Sequence, residues 1–354
     1  MAALSLFSGC GGDTLGMTNA GLHVKWYSEL IKTFQESHDL NFRDSVLLGS
    51  DIREVPDEKF SELSGKVDTI FAGFPCQSFS QGGKKDPDDP RGQLFHQFVR
   101  ATRLIQPKFI IGENVKGLLT RTMTNGDKFL DVIVGAFAEI GYTCHYKVLK
   151  TSDFGVPQSR ERLIIVGSKE PLADPFPPSF PKKKVLRDVL QFDMTGAIRV
   201  DKELIDEAGV PDEAVLVGEG EPIGEPHPYL TLNASKRGIT YGGKSISTYA
   251  FSFGKRVSPV HCEIVDPNIC SKTLICTYDH QPRLFVALKT SNGYYLRPYT
   301  ISEMKEIQGF PRDYKLSGDL KKQIIQLGNA VPPPMIQAVV SHIRNINGPV
   351  RSGA

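Results

Sequence analysis

The 354-residue sequence lacks the features that indicate a membrane span, a disulfide framework or a zinc site. Its apolar runs stay short of the roughly 18 residues that a membrane span needs, and the opening MAALSLFSG lacks the charged start and cleavage site of a signal peptide. Six cysteines without a CxxC pair are sparse for this length, which indicates free thiols. We therefore expect a soluble, cytoplasmic protein with no bound metal.

The sequence also lacks a strong charge of either sign. A formal net charge of +2 does not by itself indicate a nucleic-acid-binding protein, although a locally basic cleft is compatible with it. With 40% hydrophobic and 23% charged residues, a chain of this length can bury a sizeable core and favours two lobes.

Short β-rich runs alternate with helical patterns in the first half, which is typical of a parallel sheet with crossover helices. The pattern predicts strands over 3–7, 23–27, 68–74, 108–114, 143–149 and 162–168, and helices over 13–21, 30–41, 92–106 and 127–140. Past Lys169 the sequence is rich in proline and has only scattered β-like pieces to about residue 285. Helical patterns return in YTISEMKEIQGF and MIQAVVSHIRNI. We predict an α/β fold with a boundary near residue 170.

The segment LSLFSGCGGDTLGM, residues 4–17, places a glycine-rich turn between a strand and a helix. Such a turn lets the backbone approach a ligand, and the helix N-terminus offers unpaired N–H groups. Its spacing is not GxGxxG, so a purely structural turn is an equal alternative. Glu29 follows the predicted strand 23–27, and Asp51 stands in GSDIREV between the predicted strands 23–27 and 68–74. Both are expected at the sheet edge where α/β proteins bind ligands. One carboxylate could hold ribose hydroxyls and the other an adenine amino group, but each acid taken singly is more often a solvated surface residue.

The segment FAGFPCQSFSQGGKK, residues 71–85, places Cys76 where a strand ends and a polar loop begins. A thiolate there would be a nucleophile if neighbouring N–H groups and cations lowered its pKa. Taken alone, a free cysteine is more often a small buried hydrophobe. Cys76 is therefore a candidate whose function depends on its companions.

Taken together, the motifs resemble the cytosine-5 DNA methyltransferase family from end to end. The matches follow the family's order: FSGCGG, Glu29, DI at 51–52, GFPCQSFS, RGQLF, ENVKGLL, QSRERL, RPYTISEMKEIQGFP and QLGNAVPP. They extend from Phe7 to Pro333 and leave only the proline-rich insert 171–285 outside. Matches in this order are not credible by chance.

The resemblance implies a DNA (cytosine-5-)-methyltransferase that flips cytosine out of double-stranded DNA and uses S-adenosylmethionine, releasing S-adenosylhomocysteine, without a metal. It implies a Rossmann-like mixed, mostly parallel sheet with helices on both faces in a discontinuous catalytic domain, 1–170 and 319–354. A smaller, irregular β-rich target-recognition domain would span 171–318. We expect a monomer. A cognate restriction endonuclease would be a partner if the enzyme belongs to a restriction–modification system.

By the resemblance, Cys76 would add to carbon 6 of cytosine so that carbon 5 can accept the methyl group. Glu113 would protonate or hydrogen-bond ring nitrogen 3, and Gln77 would add polarity around the base. Arg160 would contact the cytosine carbonyl oxygen or the thiol, and Arg162 would orient Glu113 or a phosphate. The cofactor-binding residues would be Phe7, Ser8, Gly9, Gly11, Gly12, Glu29, Asp51, Ile52, Pro75, Leu94, Asn329 and Val331.

Leu30 departs from the family pattern, because many relatives carry an aromatic residue after the acid that corresponds to Glu29. The adenine contact would then fall to Ile52 and Phe7. Arg297, Thr300, Glu303 and QGFP (308–311) are expected to fix the scaffold of the smaller domain and to take no part in the chemistry.

The DNA contacts are expected in two places. The loop 78–92 carries two lysines and suits a mobile lid, with an ordinary solvated loop as the alternative. Base-reading residues are expected in GGKSISTY, GKRVSP and ICSKTLICTYDHQPR of the insert. A tRNA methyltransferase of the same fold and a catalytically silent relative stay open, although the tRNA branch's Cys-Phe-Thr signature is absent and Cys76, Glu113 and Arg160 are all present.

Overall fold

The computed structural model describes residues 1–75, 94–123, 126–223, 230–233, 240–241, 244–245, 250–253, 263–279 and 283–346. Cys76, Gln77, the loop 78–92 and GKRVSP therefore lie outside the described residues. In the described part of the chain, no helix is long and apolar enough to cross a membrane.

The first half forms a seven-stranded sheet in the order β3-β2-β1-β4-β5-β7-β6. Its strands are β1 Ala2–Leu6, β2 His23–Ser28, β3 Val46–Gly49, β4 Thr69–Ala72, β5 Phe109–Val115, β6 Thr143–Lys150 and β7 Glu161–Ser168. Neighbouring strands are parallel except where β7 pairs with β5 and β6. The sheet is thus mixed but mostly parallel, which confirms the predicted fold class.

Helices cover both faces of this sheet. They are α1 Gly12–Asn19, α2 Lys32–Asn41, α3 Asp57–Ser61, α4 Phe95–Ile105 and α5 Phe129–Ala138. Successive side chains of a strand point to opposite faces: in β4, Ile70 packs in the same core cluster as Phe98 of α4, whereas Phe71 packs with Met17 of α1 and Met335. Burial on both faces explains why these strands read as continuous apolar runs.

Beyond residue 170 the chain builds a second, β-rich region. One sheet runs β14-β13-β16-β17-β18-β9 with β10 paired to β17, and two further pairs are β8 with β11 and β12 with β15. The strands are β8 Asp193–Thr195, β9 Ile198–Val200, β10 Leu216–Val217, β11 Glu219–Ile223, β12 Leu230–Asn233, β13 Thr240–Tyr241, β14 Lys244–Ser245, β15 Ala250–Phe253, β16 Glu263–Ile264, β17 Leu284–Thr290 and β18 Gly293–Pro298. A short helix that the sequence did not predict, α6 Lys202–Glu207, lies in this region.

In the described residues, three helices follow β18: α7 Ile301–Gln308, α8 Leu320–Asn329 and α9 Pro333–Ile346. The pattern in YTISEMKEIQGF and MIQAVVSHIRNI predicted α7 and α9. Buried side chains of α9, including Met335 and Ile336, share a core cluster with Met17 of α1. The last helix therefore packs onto the first sheet.

The start of α7 is fixed by a fully buried ion pair. Two guanidinium nitrogens of Arg297 each lie 2.7 Å from a carboxylate oxygen of Glu303, and both side chains have no exposed surface. Thr300 caps the helix, since its hydroxyl accepts from the Glu303 amide while the Glu303 carboxylate accepts from the Thr300 amide. These contacts agree with the scaffold role predicted for Arg297, Thr300 and Glu303.

Candidate functional site at the carboxyl edge of the first sheet

Several of the predicted site residues that the structure describes lie at one edge of the first sheet. Because β1, β2, β4 and β5 are parallel, their carboxyl ends lie at the same edge. The antiparallel strand β7 begins there, with Arg162 opposite Val115 of β5. The topology thus places the carboxyl ends of β1, β2, β4 and β5 at the same sheet edge as the first residues of β7.

Glu113 and Arg162 form an ion pair at this edge. Arg162 Nε lies 2.8 Å from Glu113 Oε1, and the two side chains are 14% and 11% exposed. Burial raises the pKa of Glu113, and this effect outweighs the opposing charges of Arg162 and Arg160. A raised pKa widens the pH range in which a carboxyl group holds a proton that it can donate.

Arg160 is buried and bridges two distant segments. Its Nη1 donates to the carbonyl oxygen of Leu274 at 3.0 Å and its Nη2 to that of Gly328 at 2.9 Å. Leu274 belongs to the insert and Gly328 to α8, so the guanidinium ties both to the sheet edge. Among the described residues, Arg160 Nε has no hydrogen-bond partner. The contact of Arg160 with a base or thiol stays a prediction.

Asn114 fixes the chain that leads to Cys76. Its Nδ2 donates to the carbonyl oxygen of Phe74 at 3.1 Å, and its Oδ1 accepts from the Val115 amide at 2.9 Å. Pro75 follows Phe74 and is the last described residue before Cys76. The backbone entering the predicted nucleophile loop is therefore held by the residue next to Glu113.

Residues 7–12, which we call the cofactor loop, connect β1 to α1 in a strained conformation. Phe7 has a φ of +57°, which is uncommon for a residue other than glycine, and such conformations cluster at ligand-binding sites. The Ser8 amide donates to the Ser28 carbonyl at 3.1 Å, which holds the loop against the end of β2. A Cβ at Gly12 would lie 2.2 Å from the carbonyl oxygen of Val331, so only glycine permits this close approach.

Glu29 is joined directly to the cofactor loop. It is 8% exposed, and its carboxylate accepts from the Gly9 amide at 2.9 Å and from the Ile31 amide at 2.8 Å. Burial raises its pKa, against the opposing effect of these amides. Next to it, Leu30 is 63% exposed, so an apolar side chain stands open beside the acid.

The remaining predicted cofactor residues differ in their surroundings. Asp51 is an ion-paired carboxylate, because Arg53 donates to it from its backbone and its side chain and lowers its pKa. Ile52 is only 3% exposed, which leaves little of it for an adenine ring. Leu94 packs against the core of the first sheet. Asn329 ends α8 with an exposed side chain.

Two polar clusters at this edge were not predicted. Asp13 accepts from the hydroxyls of Ser5 and, at 3.3 Å, of Ser8, and burial raises its pKa to about 7. The sequence signal for the Asp13 cluster was an acidic residue directly after two glycines, in the first turn of a predicted helix. Gln158 Nε2 donates to Gln308 Oε1 at 2.6 Å, and nothing local in the sequence marks that contact. In the described ranges no group of three or more His, Cys, Asp or Glu could hold a metal ion.

Comparison with known proteins finds similarity over nearly the whole chain. The family model for C-5 cytosine-specific DNA methylase matches residues 1–345. The chain is 34% identical over 352 residues to the type II methyltransferase M.FnuDI of Fusobacterium nucleatum, covering 97% of this chain and 94% of that protein. It is 30% identical over 351 residues to the type II methyltransferase M1.HphI of Haemophilus parahaemolyticus, covering 97% and 87%. The solved structure of a prophage-encoded protein from Escherichia coli has the same fold, with a TM-score of 0.66 at 21% identity over 98% of this chain and 99% of that one.

Proposed function

Because this chain belongs to the C-5 cytosine-specific DNA methylase family, we propose that it methylates carbon 5 of a flipped cytosine with Cys76 as the nucleophile and Glu113 as the acid. The observation that carries the proposal is the buried Glu113–Arg162 pair, which lies beside the backbone leading to Cys76. An acid, a cation and a nucleophile loop at one sheet edge match what a methyl transfer to a pyrimidine ring requires.

Carbon 5 of cytosine is too electron-poor to attack an electrophilic methyl group directly. A thiolate that adds to carbon 6 gives carbon 5 the electrons to take the methyl group. When a base has then removed the proton from carbon 5, the thiolate leaves carbon 6 and the ring double bond re-forms. Cys76 is assigned to this addition. Carbon 6 is buried by stacking in a duplex, so the base must first swing out of the DNA.

Glu113 is assigned to ring nitrogen 3. Burial raises the pKa of its carboxyl group, which favours the protonated form, and a proton or strong hydrogen bond at nitrogen 3 makes carbon 6 a better acceptor for the thiolate. Arg162 holds the orientation of that carboxyl group through its 2.8 Å contact. Arg160 holds Leu274 and Gly328 at the same edge, and its charge would stabilise negative charge on the base or thiol.

S-adenosylmethionine is the proposed cofactor, and the cofactor loop suits it. The carbonyl oxygen of Val331 lies where a Cβ at Gly12 would be, so the absence of a side chain at Gly12 brings Val331 against the cofactor loop. The exposed Leu30 lies beside the buried Glu29. Glu29 would hold the ribose hydroxyls, Asp51 the adenine amino group, and Asn329 and Val331 the methionine side. When bound, the cofactor supplies the electrophilic methyl group.

The partner is double-stranded DNA, and residues 171–318 would form the target-recognition domain, within which we assign the choice of site to residues 171–285. Residues 1–170 and 319–354 would form the discontinuous catalytic domain, which the packing of α9 in the same core as α1 supports. The names of the two relatives, both type II methyltransferases, support a place in a restriction–modification system with a cognate endonuclease. We propose that the enzyme is monomeric and acts in the cytoplasm.

The test is Cys76→Ala with Cys144→Ala as the matched control. Cys144 is a half-buried thiol on β6 to which the mechanism assigns no role. We expect Cys76→Ala to abolish labelled methyl transfer to carbon 5 while cofactor binding persists, and Cys144→Ala to retain transfer. Methyl transfer by Cys76→Ala, or label recovered on the exocyclic amino group of cytosine instead of carbon 5, would overturn the proposal.

A further inference from the structure

The cofactor loop is held from outside the first sheet by a tyrosine. Tyr314 lies between α7 and α8, and its hydroxyl donates a 2.5 Å hydrogen bond to the carbonyl oxygen of Cys10. Its ring is 5% exposed and packs against Phe310 and Phe42, with centroid distances of 4.7 and 6.3 Å. Residues 304 positions apart in the sequence are thus joined at the loop.

The hydrogen bond from Tyr314 and a second one within the loop together hold both ends of one peptide unit. The Cys10 carbonyl and the Gly11 amide belong to the same planar unit, and the Gly11 amide donates to the Ser8 carbonyl at 3.0 Å. Gly11 has a φ of +91°, and a Cβ there would lie 2.8 Å from the Tyr314 hydroxyl. The loop backbone is therefore in contact with Tyr314 and can turn little while the hydrogen bond persists.

The segment that carries Tyr314 is itself fixed to α2. Lys315 and Asn41 exchange two hydrogen bonds, of 3.1 and 2.8 Å. The Ser317 amide donates to the Ser37 hydroxyl at 2.7 Å. Since α2 begins just after Glu29, the segment 314–317 contacts both the helix that follows the predicted ribose-binding acid and the loop that precedes α1.

We propose that Tyr314 is a positioning residue for S-adenosylmethionine, whose hydroxyl orients the Cys10–Gly11 peptide so that the cofactor loop is preformed for the ligand. The inference rests on the proposed cofactor. Tyr314 acts through the loop and needs no contact with the ligand. A preformed loop loses less conformational freedom on binding, which raises affinity.

The test compares Tyr314→Phe with Tyr142→Phe in the full-length protein. The Tyr142 hydroxyl also donates to a backbone carbonyl, that of Pro107 at 2.6 Å, and Tyr142 is 2% exposed, but it lies in the core between α5 and β6. Each variant loses one buried hydrogen bond and keeps its ring. The loss of thermal stability should therefore be similar in the two.

We expect Tyr314→Phe to raise the Kd of S-adenosylmethionine, measured by calorimetry, by about 2- to 12-fold, the factor equivalent to one net hydrogen bond. The KM for the cofactor should rise while the KM for DNA does not, and hydrogen exchange over residues 7–15 should quicken. Tyr142→Phe should bind like the wild type.

Equal Kd values in both variants, or unchanged exchange over residues 7–15 in Tyr314→Phe, would refute the role of Tyr314 and leave the proposed function intact. A wild-type protein that binds no S-adenosylmethionine would instead refute the proposed cofactor, and with it the inference.

Discussion

Asn114 donates a 3.1 Å hydrogen bond to the carbonyl oxygen of Phe74, two residues before Cys76. Asn114 lies at the end of β5, and Phe74 lies just beyond the end of β4, the strand that runs parallel beside it. Asn114 is 3% exposed and also accepts from the Val115 amide, so its amide group is held from both sides. The strand that presents Glu113 thereby also holds the backbone that leads to the predicted nucleophile.

Asn114→Ala should lower the rate of methyl transfer, since a reacting group misplaced by about 1 Å can lose on the order of 10²-fold in rate. The cofactor loop is not touched, so the Kd of S-adenosylmethionine should stay at the wild-type value. Single-turnover kinetics with bound DNA measure the first quantity and calorimetry the second. The control is Asn292→Ala. In the wild type, the side-chain amide of Asn292 donates to Glu221 in the second region at 2.7 Å. A single-turnover rate in Asn114→Ala equal to that of the control would contradict the proposed link.

Glu113→Gln should reduce turnover by about 10²–10⁴-fold, because the amide can hydrogen-bond nitrogen 3 but cannot deliver a proton. The pKa of Glu113 is raised by burial, so its protonated fraction falls as pH rises through that raised value. Wild-type turnover should therefore decline on the alkaline side, and the decline should vanish in Glu113→Gln.

The measurement is a pH–rate profile of both proteins with saturating DNA and cofactor. Glu306→Gln is the matched control, since Glu306 is also paired with an arginine, Arg312 at 2.6 Å, but lies on α7. A Glu113→Gln variant within tenfold of the wild type would mean that another group protonates the ring.

Asp13→Asn should make stability less dependent on pH. The pKa of Asp13 is about 7 in the fold and about 3.9 when unfolded, so the folded state holds a proton that the unfolded state lacks between these values. Its contribution is fully present below about pH 4 and is lost as pH rises through 7. Between pH 5 and pH 8 the wild type should lose on the order of 2 kcal/mol relative to Asp13→Asn.

Urea denaturation at the two pH values measures this difference. Burial lowers the pKa of His38 on α2 to about 3, but this shift is common to both proteins and cancels in the comparison. Asp57→Asn, a change of a carboxylate that is 51% exposed, should shift stability by the same amount at both pH values. A constant offset between wild type and Asp13→Asn would show that Asp13 does not take up a proton on folding.

The sheet could be predicted because its signals are local. Runs such as TIFA and FIIG are buried on both faces, and their ends mark the edge where Glu29 and Glu113 emerge. The strand Val46–Gly49 gave no such signal, since its four residues are all partly or fully exposed. The helix α6 lies among prolines and turns. Its six residues are too few to show the helical spacing of apolar side chains from which a helix is predicted.

The contacts that complete the site could not be predicted, because they join residues far apart in the sequence. Gln158 meets Gln308 across 150 positions, and Arg160 meets Gly328 across 168. In the sequence, Arg160 and Arg162 are alike, two positions apart. The resemblance gave Glu113 as one of two partners for Arg162, and the two do form an ion pair. The backbone carbonyls of Leu274 and Gly328 that Arg160 contacts had no signal in the sequence.

The last prediction concerns the choice of DNA site, which we assign to residues 171–285. The insert reaches the catalytic edge, since the Ser159 amide donates to the Ser271 carbonyl at 2.7 Å and the Ser271 amide to the Pro157 carbonyl at 2.9 Å. A flipped base identifies only itself, so neighbouring bases must be read by other residues. Lys272 and the exposed Thr273 lie beside this contact and are described members of the candidate ICSKTLICTYDHQPR.

Substitutions in 236–283, beginning with Thr273→Ala and Lys272→Ala, should broaden or shift the methylated sequence while carbon-5 transfer at the favoured site survives. Removing a side chain that reads a base edge should cost about 1–3 kcal/mol of discrimination, whereas Lys84→Ala should weaken binding evenly on all sequences and reduce its salt dependence. Sequencing of methylated DNA from cells expressing each variant gives the readout. If these substitutions only lower activity with the motif unchanged, and substitutions in 1–165 alter it instead, then recognition lies in the first sheet's region, because a residue that reads a base must change the motif when it is removed.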